Sequence, residues 1–246
     1  SPIVLLHGFP FNRTLWREQA AALGKHYRVI TVDLRGHGET DATRDPATME
    51  EMAEDVAALL GELGIARVVL GGLSMGGYVA LAFSRLFPER VRALILADTR
   101  PQADTDEARL AREETATRAL GEGMQTIADT MLPKLLAPST LAERPEVVAR
   151  VREMILNTVP QGAASALRGM AVRRDHTKFL REINCPALII VGSLDQITPL
   201  ADAELMNREI RGSRLEVIAE AGHVSNVERP AEFNRALENF LSELEA

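Results

Sequence analysis

Six short apolar runs, none of them alternating, constrain the fold of this 246-residue chain more than any other feature. They are Ile3–Leu6, Arg28–Val32, Arg67–Leu70, Ala93–Ala97, Ala187–Val191 and Arg214–Ile218. A strand with one wet face alternates apolar and polar residues, whereas a strand covered on both faces reads as a continuous apolar run. Between these runs lie stretches with helical spacing: Thr14–Leu23, Thr48–Leu63, Ser74–Phe87, Leu200–Ile210 and Pro230–Leu244. Glu51, Met52, Asp55, Val56, Leu59, Leu60 and Leu63 show that spacing well, with apolar residues on one face and acids on another. Alternating strand and helix predicts an α/β fold, with a mostly parallel central sheet, right-handed crossovers and helices on both faces.

The alternation fails over residues 100–177. That stretch has no convincing strand, is rich in Ala, Arg, Glu, Leu and Met, and is punctuated by Pro133, Pro138, Pro145 and Pro160. It reads as three or four short helices inserted before the strand at Ala187. The expected organisation is an α/β core from residues 1–99 and 178–246, with a helical cap from residues 100–177. Such a cap would lie over the strand ends, where open sheets bind ligands. The plainer alternative is a stabilising excursion with no part in binding.

Composition narrows the function classes. Hydrophobic residues make up 46% and charged residues 26%, the balance of a soluble globular protein. A formal charge of -7 disfavours nucleic acid, because phosphate binding needs a concentrated basic face. No apolar run approaches the ~20 residues of a membrane span. The start Ser1-Pro2-Ile3-Val4-Leu5-Leu6 is too short and lacks the basic flank of a signal peptide. The expectation is a soluble, cytoplasmic chain with a small-molecule partner. Cys185 is the only cysteine, so no intrachain disulfide can form. Its setting, Asn184-Cys185-Pro186 before an apolar strand, suggests a structural thiol.

The run Val68-Val69-Leu70-Gly71-Gly72-Leu73-Ser74-Met75-Gly76-Gly77 carries the chemistry. A strand runs into Gly-x-Ser-x-Gly and a helix-forming stretch follows, so Ser74 falls on a sharp strand-to-helix turn that exposes its hydroxyl. Three positions alone arise easily by chance; their placement gives them weight. A serine nucleophile also needs a base, a carboxylate to orient the base, and donors for the developing oxyanion. Asp195 follows the strand Ala187–Val191, and His223 follows the strand Arg214–Ile218. Taken singly, Asp195 also reads as a cap for the helix near Pro199 and His223 as a surface loop residue; their order and positions speak jointly for Ser74–Asp195–His223. Near the start, His7-Gly8-Phe9-Pro10 follows a strand, and the backbone N–H groups of Phe9 and Met75 are the expected oxyanion donors. His7 is expected to be a structural hydrogen-bonder, not a second base.

Together, His7-Gly8-Phe9-Pro10, Asp33-Leu34-Arg35-Gly36-His37-Gly38, Gly72-Leu73-Ser74-Met75-Gly76-Gly77, Gly192-Ser193-Leu194-Asp195 and Gly222-His223 resemble the α/β-hydrolase superfamily over essentially the whole chain. Within it, the sequence is similar to the small-cap carboxylesterase, 3-oxoadipate enol-lactonase and cofactor-free haloperoxidase (perhydrolase) group. The run Met170-Ala171-Val172-Arg173-Arg174-Asp175 belongs to that likeness. The resemblance implies an α/β-hydrolase fold and an acyl-enzyme route to carboxylic ester hydrolysis, with no metal or organic cofactor. Enol-lactone opening and perhydrolysis use the same groups, and carbon–carbon bond hydrolysis is a further variant. Enol-lactone opening calls for a cationic residue near the substrate carboxylate; Arg100, Arg173 or Arg174 could serve, and the plainer reading of each is a solvated surface charge. Epoxide hydrolase and haloalkane dehalogenase place Asp where Ser74 stands. The alternative of another class is a non-catalytic ligand-binding protein on a hydrolase fold.

Two departures stand out. Members usually begin with an antiparallel strand pair, so the sheet is expected either to be smaller at that edge or to have lost its N-terminus. Asp98, after the strand Ala93–Ala97, occupies a position where some members keep their acid; Asp195 is preferred on the match around it. No His-Glu-x-x-His motif, phosphate loop or full Gly-x-Gly-x-x-Gly is present. Met124, Met131, Leu135, Leu136, Met154 and Ile155 have helical spacing that suits packing, so none is assigned to a site.

Overall fold

The computed structural model describes residues 1–42 and 46–244. Among the described residues six strands form one sheet: β1 (Ile3–Leu6), β2 (Val29–Val32), β3 (Val68–Leu73), β4 (Val91–Ala97), β5 (Ala187–Gly192) and β6 (Arg214–Ile218). Their order is β2-β1-β3-β4-β5-β6, and every neighbouring pair is parallel. The sheet is therefore parallel throughout, where "mostly parallel" was expected. β1, β3 and β5 are buried along their whole length, which explains their unbroken apolar character. The edge strands β2 and β6 are largely half-buried. β3 runs on past Leu70, where glycines argue against a strand. Gly71 stays in register with Leu5 and Ile95, whose side chains occupy the space a Cβ would need.

β1 leads through a 3-10 turn at Arg13–Trp16 into α1 (Arg17–Leu23). α2 (Met49–Glu62) opens with a capping box between Thr48 and Glu51, and α3 (Met75–Leu86) follows β3. From β1 the chain steps one way to β2 and then back across to β3. With right-handed crossovers, that reversal puts α1 on one face and α2 and α3 on the other.

Between β4 and β5 come α4 (Asp106–Glu122), α5 (Met124–Leu135), α6 (Pro138–Glu143), α7 (Pro145–Leu156) and α8 (Pro160–Ala171). The expected three or four short helices are thus five, and α4 is seventeen residues long. Two physical reasons account for the difference. Pro138, Pro145 and Pro160 each start a helix, where a missing N–H costs nothing, but Pro133 lies inside α5 without ending it, and the break between α4 and α5 falls at Gly123 (φ 81°) with no proline. α4 buries only Ala116 and Ala119, so it carries no apolar stripe to read.

The insertion lies across the carboxyl ends of the strands. Thr158 Oγ1 donates to Pro10 O after β1 (2.7 Å), and His223 N–H after β6 donates to Leu135 O (2.8 Å). α8 sits on the segment after β2 through main chain: Ala47 N–H donates to Ser165 O, and Gly162 and Gly169 press directly on backbone. A Cβ on Gly162 would fall 1.9 Å from Gly36 O, and one on Gly169 would fall 1.7 Å from Ala47 O.

After β5 come α9 (Leu200–Glu209), α10 (Ser225–Glu228) and α11 (Pro230–Glu243). α11 packs on α1, with Trp16 and Phe233 in ring contact at 6.0 Å. Both side chains are fully buried, each contributing roughly 1.5–3 kcal/mol of hydrophobic stabilisation. Among the described residues no helix is long and apolar enough to cross a membrane.

Candidate active site

Ser74 joins β3 to α3 with φ 54° and ψ -114°, a backbone state that L-residues disfavour by ~1–2 kcal/mol. The turn holds because its flanks leave no alternative. A Cβ on Gly72 would lie 2.1 Å from Gly76 O, and one on Gly76 would lie 2.2 Å from Leu6 O. Ser74 N–H donates to Ala97 O (2.9 Å), and the Thr99 hydroxyl donates to Ser74 O (2.8 Å), so β4 pins the turn. Met75 heads α3, where Gly77 and Tyr78 N–H both donate to Ser74 O (2.8 and 3.2 Å) and the Met75 N–H, one position after the cap, has no carbonyl of the helix to reach.

The His223 ring bridges two distant residues. Its Nε2 lies 2.8 Å from Ser74 Oγ, and its Nδ1 lies 2.8 Å from Asp195 Oδ2. The same Asp195 oxygen accepts the Thr198 hydroxyl at 2.7 Å. Asp195 Oδ1 accepts the N–H groups of Ile197 (2.8 Å) and Thr198 (3.0 Å). Burial works against ionisation of Asp195, but the charge of His223 and the bonds from His223 and Thr198 outweigh it and hold the carboxyl below its ordinary value. An ionised Asp195 accepts the Nδ1 proton, which leaves the Nε2 lone pair facing the Ser74 hydroxyl. Such an array can draw a proton from serine. Nor does Asp195 cap a helix: α9 begins after Pro199 with no side-chain cap.

Asp98 is placed differently. It follows β4 at φ 42°, wholly buried, and accepts Gly192 N–H (2.8 Å) and the Ser225 hydroxyl (2.6 Å). Burial first, then the charge of Asp195, pushes its carboxyl well above the usual range. The imidazole contact belongs to Asp195.

His7 accepts Leu34 N–H at Nε2 (3.0 Å), so its proton sits on Nδ1 and is donated to Gly8 O (2.9 Å). Burial, aided by His37 with rings 5.1 Å apart, lowers its pKa to about 3. A neutral imidazole with both nitrogens engaged is no base at neutral pH. Gly8 O also accepts Phe11 N–H (2.9 Å), which fixes the Gly8–Phe9 peptide from its carbonyl side. That loop abuts the serine turn, since a Cβ on Gly8 would come 3.3 Å from Ser74 Cβ. Phe9 and Ser74 thus follow β1 and β3, the neighbouring strands where the crossovers reverse and open sheets form their crevice.

Arg173 is buried and fully engaged. It pairs with Asp104 (2.5 Å), donates to the carbonyls of Gln102 and Met170, and lies over the Tyr78 ring at 4.3 Å. Arg100 binds Asp202 (3.1 Å) and the Ile197 carbonyl, and Arg174 is exposed. Ser74 itself is 8% exposed and His223 1%, so both side chains lie almost wholly within the protein. A cleft of about 590 Å³ opens at the opposite, amino-terminal edge of the sheet, lined by Arg67, Arg85, Phe179 and Cys185. The Cys185 thiol there is half-buried, and burial raises its pKa.

Thr198, Thr99 and Ser225 were not singled out by sequence. Thr198 had a local signal, an Asp followed three residues later by Thr before Pro, the pattern of a side-chain-capped turn. Thr99 and Ser225 act across the fold and leave no local trace.

Comparison with known proteins agrees with this architecture. The family described as alpha/beta hydrolase fold matches residues 1–230. The chain is similar to the solved structure of a thermophilic esterase from Thermogutta terrifontis, described as malate bound, with 44% identity and a TM-score of 0.98 over 100% of this chain and 90% of that one. It is similar to the enol-lactonase from Burkholderia xenovorans LB400, with 32% identity and a TM-score of 0.92 over 98% of this chain and 91% of that one. By sequence it is 33% identical to 3-oxoadipate enol-lactonase 2 of Acinetobacter baylyi over 92% of this chain and 83% of the relative.

Proposed function

The chain belongs to the α/β-hydrolase family, and we propose that within it this protein hydrolyses carboxylic esters of small to medium acyl groups through an acyl-enzyme on Ser74. His223 takes the Ser74 proton as the oxygen attacks the ester carbonyl, then gives it to the leaving alkoxide. Water, deprotonated by the same ring, releases the acid and frees Ser74. Asp195 fixes the tautomer and stabilises the imidazolium. The N–H groups of Phe9 and Met75 receive the oxyanion, each worth ~2.7–4 kcal/mol in the transition state. His7 serves that hole by holding the Gly8–Phe9 peptide through Gly8 O. Residues 100–177 act as the cap that closes over the acyl group, and the chemistry calls for no metal or organic cofactor.

One observation carries this reading: the unbroken chain of 2.8 Å contacts from Ser74 Oγ through His223 to Asp195 Oδ2. A binding protein on the same fold has no need of it. Ring opening of an enol-lactone runs through the same groups, and the enol-lactonase relatives support it as a second reading. The engagement of Arg173 and Arg100 with protein partners favours an uncharged ester over a substrate with a free carboxylate. The test is fluorophosphonate labelling together with turnover of a panel of p-nitrophenyl esters and lactones. Labelling at Ser74 with ester turnover is expected; an unlabelled, folded protein would sink the proposal.

A further inference from the structure

α10, the single helical turn that follows His223, carries three polar side chains that are almost wholly buried: Ser225, Asn226 and Glu228. Ser225 reaches Asp98, and Asn226 reaches Leu15 O and Gln19. Glu228 differs from both. It bears a carboxyl that is only 1% exposed, and it uses both carboxyl oxygens on main-chain donors from two separate parts of the chain. Oε1 accepts Gly222 N–H (2.6 Å), the residue just before His223. Oε2 accepts Ala137 N–H (2.8 Å), between α5 and α6 of the insertion.

Two further bonds close the circuit. His223 N–H donates to Leu135 O (2.8 Å), and Arg144 Nη1 donates to Glu228 O (2.5 Å). Leu135 ends α5, so its carbonyl has no acceptor role inside the helix, and Ala137 immediately precedes α6. The main chain around the imidazole and the break between two insertion helices therefore satisfy one another. A carboxylate suits the place because it offers two acceptor atoms and no donor; glutamine would turn an NH2 toward one of the two N–H groups.

We propose that Glu228 is a positioning residue that makes the placement of the His223 imidazole depend on the seating of the insertion. This rests on the reading of His223 as the base for Ser74. With the 135–137 segment seated, Gly222 and His223 are held and Nε2 stays on the Ser74 hydroxyl. With that segment withdrawn, His223 loses its main-chain acceptor, Glu228 loses one of its two donors, and the ring is free to leave the serine. Acyl transfer is thereby confined to the closed insertion.

The test uses Glu228→Gln and Ala137→Pro. At φ -61° and ψ 148°, after Leu136 at ψ 146°, position 137 accepts proline's dihedrals, so the second variant removes the donor from the other side. kcat, KM and the rate of fluorophosphonate labelling of Ser74 are measured below each variant's melting temperature. Each variant is expected to lower kcat and labelling rate about tenfold or more, with KM within about threefold, because Glu228→Gln turns an NH2 toward a buried N–H and Ala137→Pro leaves a buried carboxylate oxygen without its donor. A kcat within twofold of wild type in either folded variant overturns the proposal. Failure of wild type to label would instead refute the role of Ser74 and His223, which keeps the two failures apart. Should neither variant fold, amide hydrogen exchange on the wild type decides. The N–H groups of Ala137, Gly222 and His223 are expected to open with one free energy, as a single unit; separate openings overturn the coupling.

Discussion

Asp195→Asn isolates the carboxylate's part in the chemistry, because the surrounding donors dictate how the new amide must sit. Asp195 Oδ1 accepts two backbone N–H groups, from Ile197 and Thr198. An amide NH2 at that position would leave both donors unpaired, at about 1–3 kcal/mol each. The amide oxygen therefore takes the Oδ1 place and the NH2 takes the Oδ2 place, facing the Thr198 hydroxyl and His223 Nδ1. Thr198 can rotate to accept. His223 can accept only by moving its proton to Nε2, and that proton then points at Ser74 Oγ. The ring has become a donor where it must be an acceptor. A wrong tautomer lowers kcat by about 10⁴, or roughly 5.5 kcal/mol of barrier at about 1.4 kcal/mol per decade. The fold keeps its hydrogen bonds, so the melting temperature should stay within a few degrees. At Asp98→Asn the amide oxygen can keep Gly192 N–H while the NH2 donates to Ser225 Oγ, at the cost of the bond from Ser225 N–H, and a carboxyl beside Asp195 is removed. Its kcat on p-nitrophenyl butyrate should remain within about fivefold of wild type. If Asp195→Asn kept a tenth of the activity while Asp98→Asn lost it, the acid would be Asp98 and the tautomer reasoning would be wrong.

Further outcomes can be checked on the same protein. Ser74→Ala and Ser74→Gly should both be inactive, but the glycine form, relieved at φ 54°, should melt about 2–4 °C above the alanine form, for roughly 1 kcal/mol in a chain of this size; an equal or lower melting temperature argues against backbone strain. His7, His37 and His176 titrate in the folded protein near 3, 4 and 4, chiefly through burial, against 6.5 unfolded. Their contribution is whole above pH 6.5 and is lost as pH falls toward those values, by about 1.4 kcal/mol per unit for each, so stability should drop steeply between pH 6.5 and 4. A flat denaturation midpoint over that range would contradict their neutral burial. Gly169→Val must push α8 off Ala47 O and should speed tryptic cleavage within the insertion, destabilising its seat by about 1–3 kcal/mol or more; unchanged proteolysis would mean that the seat yields freely.

The sheet was legible because strands buried on both faces must be apolar at every position, as Val4, Leu70 and Ile189 are. Strand ends were less so: β3 continues through two glycines because Leu5 and Ile95 fill the space beside Gly71, a fact of neighbours and not of propensity. α4 escaped periodicity since it has almost no buried face, and prolines that begin helices resembled prolines that end them. Ser74, Asp195 and His223 were readable because each follows a strand in a short local pattern. Glu228 was not: nothing in Val227-Glu228-Arg229 announces a carboxylate shared by Gly222 and a residue ninety-one positions away. The arginines illustrate the same limit, for Arg173 looks like any surface charge until Tyr78 and Asp104 close around it.

The main-chain seat of α8 has a consequence for re-tailoring the enzyme. Contacts made by backbone alone do not register which side chains a helix carries, apart from the glycines that permit the approach. Gly162 and Gly169 set where α8 meets the segment after β2, while its other face packs on α4 through side chains such as Arg168 and Glu113. Substitutions elsewhere in the insertion can therefore be tried with this one contact held constant, provided that Gly162 and Gly169 are left as they are.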